Sequence, residues 1–162
     1  MPELDDVVRE RTAFYDASFV SRDRSFAHAH ITLLAPWVTD PAADDLSRVA
    51  RIASQAGPFE VTLAEIGEFP HGVIYLRPAP DMALRELSAR LAAEFPDWPP
   101  YGGQYEGVVP HLTLDRRSAS VTPATVRATV AHLLPVTVTV QRIDLQWWAN
   151  HDCRLLRSWT LG

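Results

Sequence analysis

The same four-residue pattern, His-apolar-Thr-apolar, occurs once in each half of this chain. His30-Ile31-Thr32-Leu33 and His111-Leu112-Thr113-Leu114 begin 81 residues apart in a sequence of 162 residues. Residues at i and i+2 of a strand share a face, so each copy predicts a strand with its His and Thr on one side and its apolar residues on the other. Two such strands side by side would place two imidazoles and two hydroxyls in one groove.

The composition is that of a single globular domain. Apolar residues make up 47% of the chain and charged residues 22%, which is ordinary for a globular protein of this length. No apolar run is long enough to cross a membrane, and the acidic N-terminus lacks the basic and apolar regions of a signal peptide. The single Cys153 cannot form an internal disulfide, which fits a reducing compartment. We therefore expect a cytoplasmic monomer with no membrane association.

The charge balance restricts the kind of ligand. The net charge of −5 argues against a broad surface that coats nucleic acid, but it allows a small phosphate-bearing substrate in a locally basic groove. All 15 basic residues are arginines. Arginine suits bidentate contacts with phosphate.

Periodicity and capping residues predict four amphipathic helices and six strands. The helices begin near Leu4, at Asp40-Pro41, at Asp81 and at Thr122-Pro123. The strands are predicted over 30–35, 59–68, 73–78, 111–116, 136–148 and 153–160. Trp147 and Trp148 point to opposite faces of their strand, so one is expected in the core and the other exposed.

The order of these elements repeats. PFEVTLAEI at 58–66 resembles PVTVTVQRI at 135–143, and HGVIYLR at 71–77 lines up with HDCRLLR at 151–157. The repeat predicts one domain over 1–162 built from two related α/β lobes, approximately 1–69 with 153–160 and 73–148. A cleft between two such lobes is a natural ligand site.

The paired histidines suit acid–base chemistry on a phosphodiester. Imidazole has a pKa near 6.5, so one ring can accept a proton while another donates one near neutral pH. Hydrolysis of a cyclic phosphodiester needs both, one to activate water and one to protonate the leaving ribose oxygen. Thr32 and Thr113 would donate hydrogen bonds to the non-bridging oxygens. A single such tetrapeptide is more often only a strand with a polar face, but two copies at equivalent positions favour catalysis.

The paired motifs resemble those of the two-histidine (2H) phosphoesterase superfamily, which includes the 2′-5′ RNA ligase-like proteins and cyclic phosphodiesterases. The contexts AHITLLAPW and VPHLTLDR are similar to that family's two motifs, and PPYGGQYEGVVPHLTL is similar to one branch of ligase-like proteins. The resemblance spans roughly residues 4 to 161. It implies a metal-independent reaction with His30, Thr32, His111 and Thr113 as the catalytic set.

The resemblance also implies a fold and a reaction. The fold is α/β (α+β), bilobal and pseudo-two-fold, with an antiparallel sheet in each lobe, helices outside and the His-x-Thr strands lining a central groove. The expected enzyme is a phosphoric diester hydrolase acting on a 2′,3′-cyclic phosphate or a 2′-5′ phosphodiester of a nucleotide or RNA end. The same acid–base pair would serve reverse ligation. No cofactor and no metal are expected.

Two other functional interpretations stay open. The groove of a non-catalytic module would bind a nucleotide or RNA end without turnover. A metal-dependent hydrolase would use the His28-Ala29-His30 spacing, although no Asp, Glu or His partner set is evident at equivalent repeat positions. We therefore favour a loop or supporting position for His28.

The sequence departs from the family pattern at one point. The family has a strand ahead of its first helix, whereas here the first helix follows Met1-Pro2-Glu3 directly. Either strand 153–160 lies near the position that this family strand would occupy, or the start of the chain is truncated or misassigned.

Three residues near the motifs are candidates to bind substrate. Arg116 could clamp a phosphate, but strand parity places it on the face opposite the histidine, so it contributes only if the strand ends or twists there. A solvated arginine at the rim is the alternative. Trp37 and Tyr101 could stack on a base. Alternatively, Trp37 covers the core and Tyr101 belongs to a connecting loop.

The remaining histidines have structural interpretations. His71 and His151 match each other in the repeat, and both are expected in turns because Gly or Asp follows them. His132 lies among apolar residues of the fourth helix and is expected to be structural.

Overall fold

The computed structural model describes residues 2–105 and 107–162, without the side chains of Pro2 and Glu3. Glu106, which belongs to the PPYGGQYEGVVPHLTL segment, and Met1 lie outside the described residues. The helices are α1 (Pro2–Asp16), α2 (Ala43–Ser54), α3 (Met82–Glu94) and α4 (Pro123–Val130), with 3-10 turns at Ala17–Phe19 and Pro100–Gly103. The strands are β1 (Phe59–Glu68), β2 (Val73–Ala79), β3 (Leu112–Arg116), β4 (Val136–Val140), β5 (Arg142–Trp147) and β6 (Arg154–Thr160).

The larger of two sheets is antiparallel, with the strand order β3-β2-β1-β4. Its strands contribute the buried residues Leu63, Ile74, Leu76 and Leu112 to a core that the sheet shares with the helices. Helix α1 packs against β3 and α4 against β1. The core between the helices and the sheet contains Leu4, Leu63, Ile74, Leu76, Leu112, Leu114, Val126, Val130 and Val136.

The smaller sheet pairs β5 with β6 in antiparallel register. Helix α2 packs against β6 and against α3. The apolar faces of these elements form a second core that contains Val49, Ile52, Ala53, Leu87, Leu91, Phe95, Ile143, Trp159 and Leu161. The two antiparallel sheets with helices packed against them confirm the predicted α/β class.

The predicted helix starts are confirmed at two positions and wrong at one. Thr122 caps α4, because its side chain accepts a hydrogen bond from the amide of Thr125. Asp81 is the residue before α3. Helix α2 begins after Ala42 instead of at Asp40-Pro41, because the Asp45 side chain accepts the amide of Ala42 at 3.0 Å and so satisfies the first free donor there.

The strand predicted over 30–35 is wrong, because this segment pairs with no strand in the described part of the chain. Two of its carbonyls, and the amide of the residue just before it, bond elsewhere. The Ala29 amide donates to Asp5, the Leu33 carbonyl accepts the Ser88 hydroxyl, and the Ala35 carbonyl accepts the Tyr101 amide. The first His-x-Thr motif is therefore held by side chains and loops.

The strand predicted over 136–148 divides at Gln141 into β4 and β5. The Gln141 carbonyl accepts the amide of Leu161, so the chain leaves one sheet here and enters the other. The proposed division into two lobes stays a prediction. Strands β1 and β2, which that division placed in different lobes, are neighbours in one sheet.

Candidate active site

His30 is held by a backbone contact with its own motif. Its Nδ1 lies 2.7 Å from the carbonyl oxygen of His28. A carbonyl only accepts hydrogen bonds, so Nδ1 carries the hydrogen. The amide of Ala29, between the two histidines, donates to Asp5 of α1 at 2.8 Å and fixes the loop.

His111 makes the same contact. Its Nδ1 lies 2.7 Å from the carbonyl oxygen of Val109, again two residues upstream. Both rings are therefore oriented by the backbone in the same way, and in the described part of the chain neither Nε2 makes a hydrogen bond. In each motif Nε2 is the ring atom that remains to accept or donate a proton.

Both histidines have lowered pKa values. Burial lowers the pKa of His30, and the nearby charge of His111 lowers it further, while the bond with the His28 carbonyl opposes both effects. Burial also lowers the pKa of His111, with His71 acting in the same direction against the Val109 carbonyl. Each imidazole is thus more readily neutral than a free one, as a general base near neutral pH requires.

An aromatic ring packs beside His30. The Trp148 ring lies 5.3 Å from the His30 ring and 5.9 Å from the His28 ring. The Trp148 indole donates to the Gln146 side chain at 3.3 Å, and Gln146 donates to the Ala27 carbonyl at 3.0 Å. The end of β5 is therefore tied to the first motif. The sequence predicted one tryptophan of 147–148 exposed and the other in the core. Trp148 is exposed, but Trp147 is only partly buried. The contact of Trp148 with His30 had no local signal.

A second aromatic group surrounds His111. Its ring lies 4.9 Å from Phe69, edge to face, and 5.5 Å from Tyr75 of β2. These two rings were not among the predicted site residues. The pairing of β2 with β3, which places Tyr75 opposite Thr113, is the signal that would have found Tyr75.

The two threonines occupy different structural settings. Thr113 is exposed on β3, two residues from His111 and on the same face of the strand. Thr32 is partly buried and, with His30, lines a cleft of about 960 Å³. His111 and Thr113 are not among the described residues that line this cleft. The cleft is within the size range of small-ligand sites.

A bulge on β3 reverses the predicted orientation of Arg116. Thr113 lies opposite Tyr75 and Arg116 lies opposite Val73, so Leu114 is an extra residue. Tyr75 and Val73 share a face of β2, and directly opposed residues share a face of the sheet. Arg116 therefore lies on the same face as Thr113, and the parity expectation is wrong.

The neighbouring arginine has another partner. Arg117 is bonded through both Nε and Nη2 to the Glu68 carboxylate at the end of β1. Arg116 is exposed and has no ion pair among the described residues. Of the two arginines after the second motif, Arg116 is the one whose guanidinium has no partner within residues 2–105 and 107–162.

The other two predicted substrate-binding residues lie close to the motifs. Trp37 lines the cleft, but its ring also packs 5.0 Å from Phe95 against the second core. Tyr101 has a φ of 53° in a tight turn, and its amide donates to the Ala35 carbonyl at 2.7 Å. This bond joins the loop before the second motif to the segment after the first.

His28 has a supporting position. Its ring is 2% exposed, its Nε2 accepts the Ser21 amide at 3.3 Å, and it packs against Phe26. Burial lowers the pKa of His28. In the described part of the chain no three His, Cys, Asp or Glu side chains are grouped as metal ligands would be.

The sequence profile described as the 2′-5′ RNA ligase superfamily matches residues 2–152 of this chain. The chain belongs to that superfamily. Membership indicates an enzyme of the phosphoesterase or ligase type, and the resemblance to two-histidine phosphoesterases is confirmed. A comparison with curated proteins gave no match.

Solved structures share the fold of this 2′-5′ RNA ligase superfamily member. LigT of E. coli complexed with 3′-AMP is 20% identical, with a TM-score of 0.54 over 95% of this chain and 91% of that one. TT0787 of Thermus thermophilus is 20% identical, with a TM-score of 0.57 over 96% of this chain and 92% of that one. No helix in the described part of this chain combines the length and apolar character needed to span a bilayer.

Proposed function

We propose that this superfamily member is a metal-independent phosphoesterase that acts on a 2′,3′-cyclic phosphate or a 2′-5′ phosphodiester of a nucleotide or RNA end. The observation that carries the proposal is the shared geometry of His30 and His111. Each ring donates Nδ1–H to the carbonyl two residues upstream, and no described residue makes a hydrogen bond with either Nε2. Two imidazoles oriented alike suit a reaction that uses one as base and one as acid.

In the proposed reaction one histidine takes up a proton and the other histidine releases one. Nε2 of the neutral histidine takes a proton from water as the water oxygen forms a bond to phosphorus. Nε2 of the protonated histidine gives its proton to the ribose oxygen as the bond from phosphorus to that oxygen breaks. The two rings exchange protonation states in each turnover, and the reverse direction, ligation, exchanges their roles.

The threonines and one arginine would bind the phosphate. Hydroxyls of Thr32 and Thr113 would donate to the non-bridging oxygens, where negative charge grows in the transition state. Arg116 shares the face of Thr113 and is proposed to provide the guanidinium. Trp37 and Tyr101 stay as proposed base contacts.

Nucleotide ligands of a structural relative support the substrate class. LigT was crystallised with 3′-AMP, with NADP+ and with ATP. We propose a nucleotide or RNA end as the ligand here too, and a monomer as the active form. A cytoplasmic location is proposed from the single Cys153, which cannot form an internal disulfide.

Turnover of a small substrate panel tests the proposal. The panel contains the four 2′,3′-cyclic nucleotides and a 2′-5′-linked dinucleotide, each assayed with EDTA for wild type and His111→Ala. We expect wild-type turnover that EDTA leaves unchanged and that His111→Ala loses. Turnover abolished by EDTA would support the metal-dependent alternative.

A binding measurement separates the enzyme from the non-catalytic module. Adenosine 3′-monophosphate is titrated into both proteins by calorimetry. An enzyme loses turnover in His111→Ala while binding persists. A folded wild-type protein that binds this nucleotide but turns over no panel member would support the module.

A further inference from the structure

Four aromatic rings form a column that begins beside His111 and ends in solvent. Tyr75 and Phe69 stack with centroids 4.3 Å apart, Phe69 and His71 with centroids 5.5 Å apart, and His71 and Tyr105 with centroids 6.4 Å apart. The interplanar angles are 24°, 8° and 27° in the same order. The rings are therefore nearly parallel, and the spacing widens outward.

The centroid separation of the last pair is close to that of two rings with one base between them. Stacked nucleotides are spaced by about 3.4 Å, so two rings with a base between them are about 6.8 Å apart. The His71 and Tyr105 centroids are within half an ångström of that separation. Both side chains are exposed, Tyr105 by 53%, so solvent reaches the interval.

The column is held in place at both ends. Tyr75 is buried in the sheet, and its ring and the Phe69 ring both contact His111. At the outer end, Tyr105 packs edge to face on Tyr101 with centroids 5.8 Å apart, and Tyr101 is bonded to Ala35. Phe69 contacts both His111 and His71, so the last interval is joined to His111 through these two rings.

We propose that His71 and Tyr105 form a base-binding slot that sandwiches the nucleobase of the substrate. The inference rests on the proposed function and extends it, because it assigns binding affinity to a base in addition to the phosphate. Every base has a π-face, so the slot accepts all four, and the larger purine face overlaps the two rings more fully.

Two ligands that differ only in the base test the slot by calorimetry. They are adenosine 3′-monophosphate and base-free 1-O-methylribose 3-phosphate. Stacking on an aromatic side chain is worth about 1–3 kcal/mol per base, so Tyr105→Ala and His71→Ala should each raise the Kd of the nucleotide by about 5- to 150-fold. Tyr105→Phe keeps the ring and should stay within about threefold of wild type.

The controls are aromatic and histidine residues away from the column. Phe14, 70% exposed on α1, is replaced in Phe14→Ala, and the exposed His132 in His132→Ala. Neither should change the preference for the nucleotide over the base-free ligand. Circular dichroism of each variant checks the fold.

Three results would overturn the slot. These are a wild-type protein with no preference for the base-bearing ligand, a Tyr105→Ala variant with an unchanged nucleotide Kd, and an equal loss for both ligands. The proposed function fails separately. If the variants bind the nucleotide more weakly but the wild-type protein has no turnover, the slot is retained and the hydrolase is rejected. If the wild-type protein has turnover but the variants bind the nucleotide unchanged, the hydrolase is retained and the slot is rejected.

Discussion

His30 and His111 each hold Nδ1 at 2.7 Å from the carbonyl oxygen two residues upstream. Burial is the larger cause of the lowered pKa of His30, and the charge of His111 lowers it further. His111 also has a lowered pKa, first through burial and then through His71. Protonation of His111 therefore makes protonation of His30 less favourable.

The pH profile of kcat/KM follows from these shifts. The active form has one imidazole neutral and one protonated. Because both pKa values lie below the ordinary value of about 6.5, this mixed form is most populated below that pH in the free protein. We expect a bell-shaped profile with its optimum below pH 6.5 and a fall as pH rises further. Steady-state rates on a 2′,3′-cyclic nucleotide from pH 4.5 to 9 measure it. A flat profile, or an optimum above pH 7.5, would contradict the account.

Removing the threonine hydroxyls should slow turnover without unfolding the protein. Thr113 is exposed, so Thr113→Val leaves no buried gap. We expect Thr113→Val and Thr32→Val each to lower kcat/KM by about 10- to 100-fold, below the full effect of an oxyanion donor. Thr113→Ser, which keeps the hydroxyl, is the matched control. Unchanged rates would remove the threonines from phosphate binding.

The carboxylate of Asp115 joins α1 to the strand of the second motif. It lies 2.7 Å from Arg11 Nε and accepts the Tyr15 hydroxyl at 2.6 Å, and it is 8% exposed. Asp115→Asn removes the charge from a nearly buried ion pair, so we expect the free energy of unfolding to fall by about 1–3 kcal/mol. Tyr15→Phe should cost about 1 kcal/mol. Urea unfolding measures both, and an unchanged midpoint for Asp115→Asn would show that the contact contributes nothing.

Gly67 leaves room for the ring that supports His111. A Cβ at this position would lie 2.6 Å from Cζ of Tyr75, which is too close for the ring to stay in place. We expect Gly67→Ala to destabilise the protein by about 1–3 kcal/mol and to lower kcat, because the Tyr75 ring contacts His111. Gly57→Ala is the matched control, since nothing lies within 4 Å of its Cβ. Equal stability of the two variants would contradict the packing argument.

Local sequence signals predicted most of the elements around the site. Thr122-Pro123 marks the start of α4, the alternating apolar residues of 59–68 mark β1, and the apolar run of 73–76 marks β2. These helix and strand signals depend on residues that are close to one another in the sequence. The repeated His-x-Thr pattern was likewise recognisable from the sequence alone.

Features that depend on residues far apart in the sequence were not predicted from local patterns. Segment 30–35 has a strand-like sequence, but a strand also needs a neighbouring strand, and here side chains and loops take its backbone bonds. The bulge at Leu114 arises from the register of β3 on β2, so parity along β3 alone misplaced Arg116. The contact of Trp148 with His30 crosses more than 100 residues of chain.

A double-mutant cycle on His30 and His111 tests the central claim most directly. Initial rates on a 2′,3′-cyclic nucleotide are compared for wild type, His30→Ala, His111→Ala and the double variant, each shown to be folded. A base and an acid that act together predict that each single change lowers kcat by about 100- to 10,000-fold and that the double variant is little slower. Losses that multiply, or a single variant close to wild type, would contradict paired-histidine catalysis.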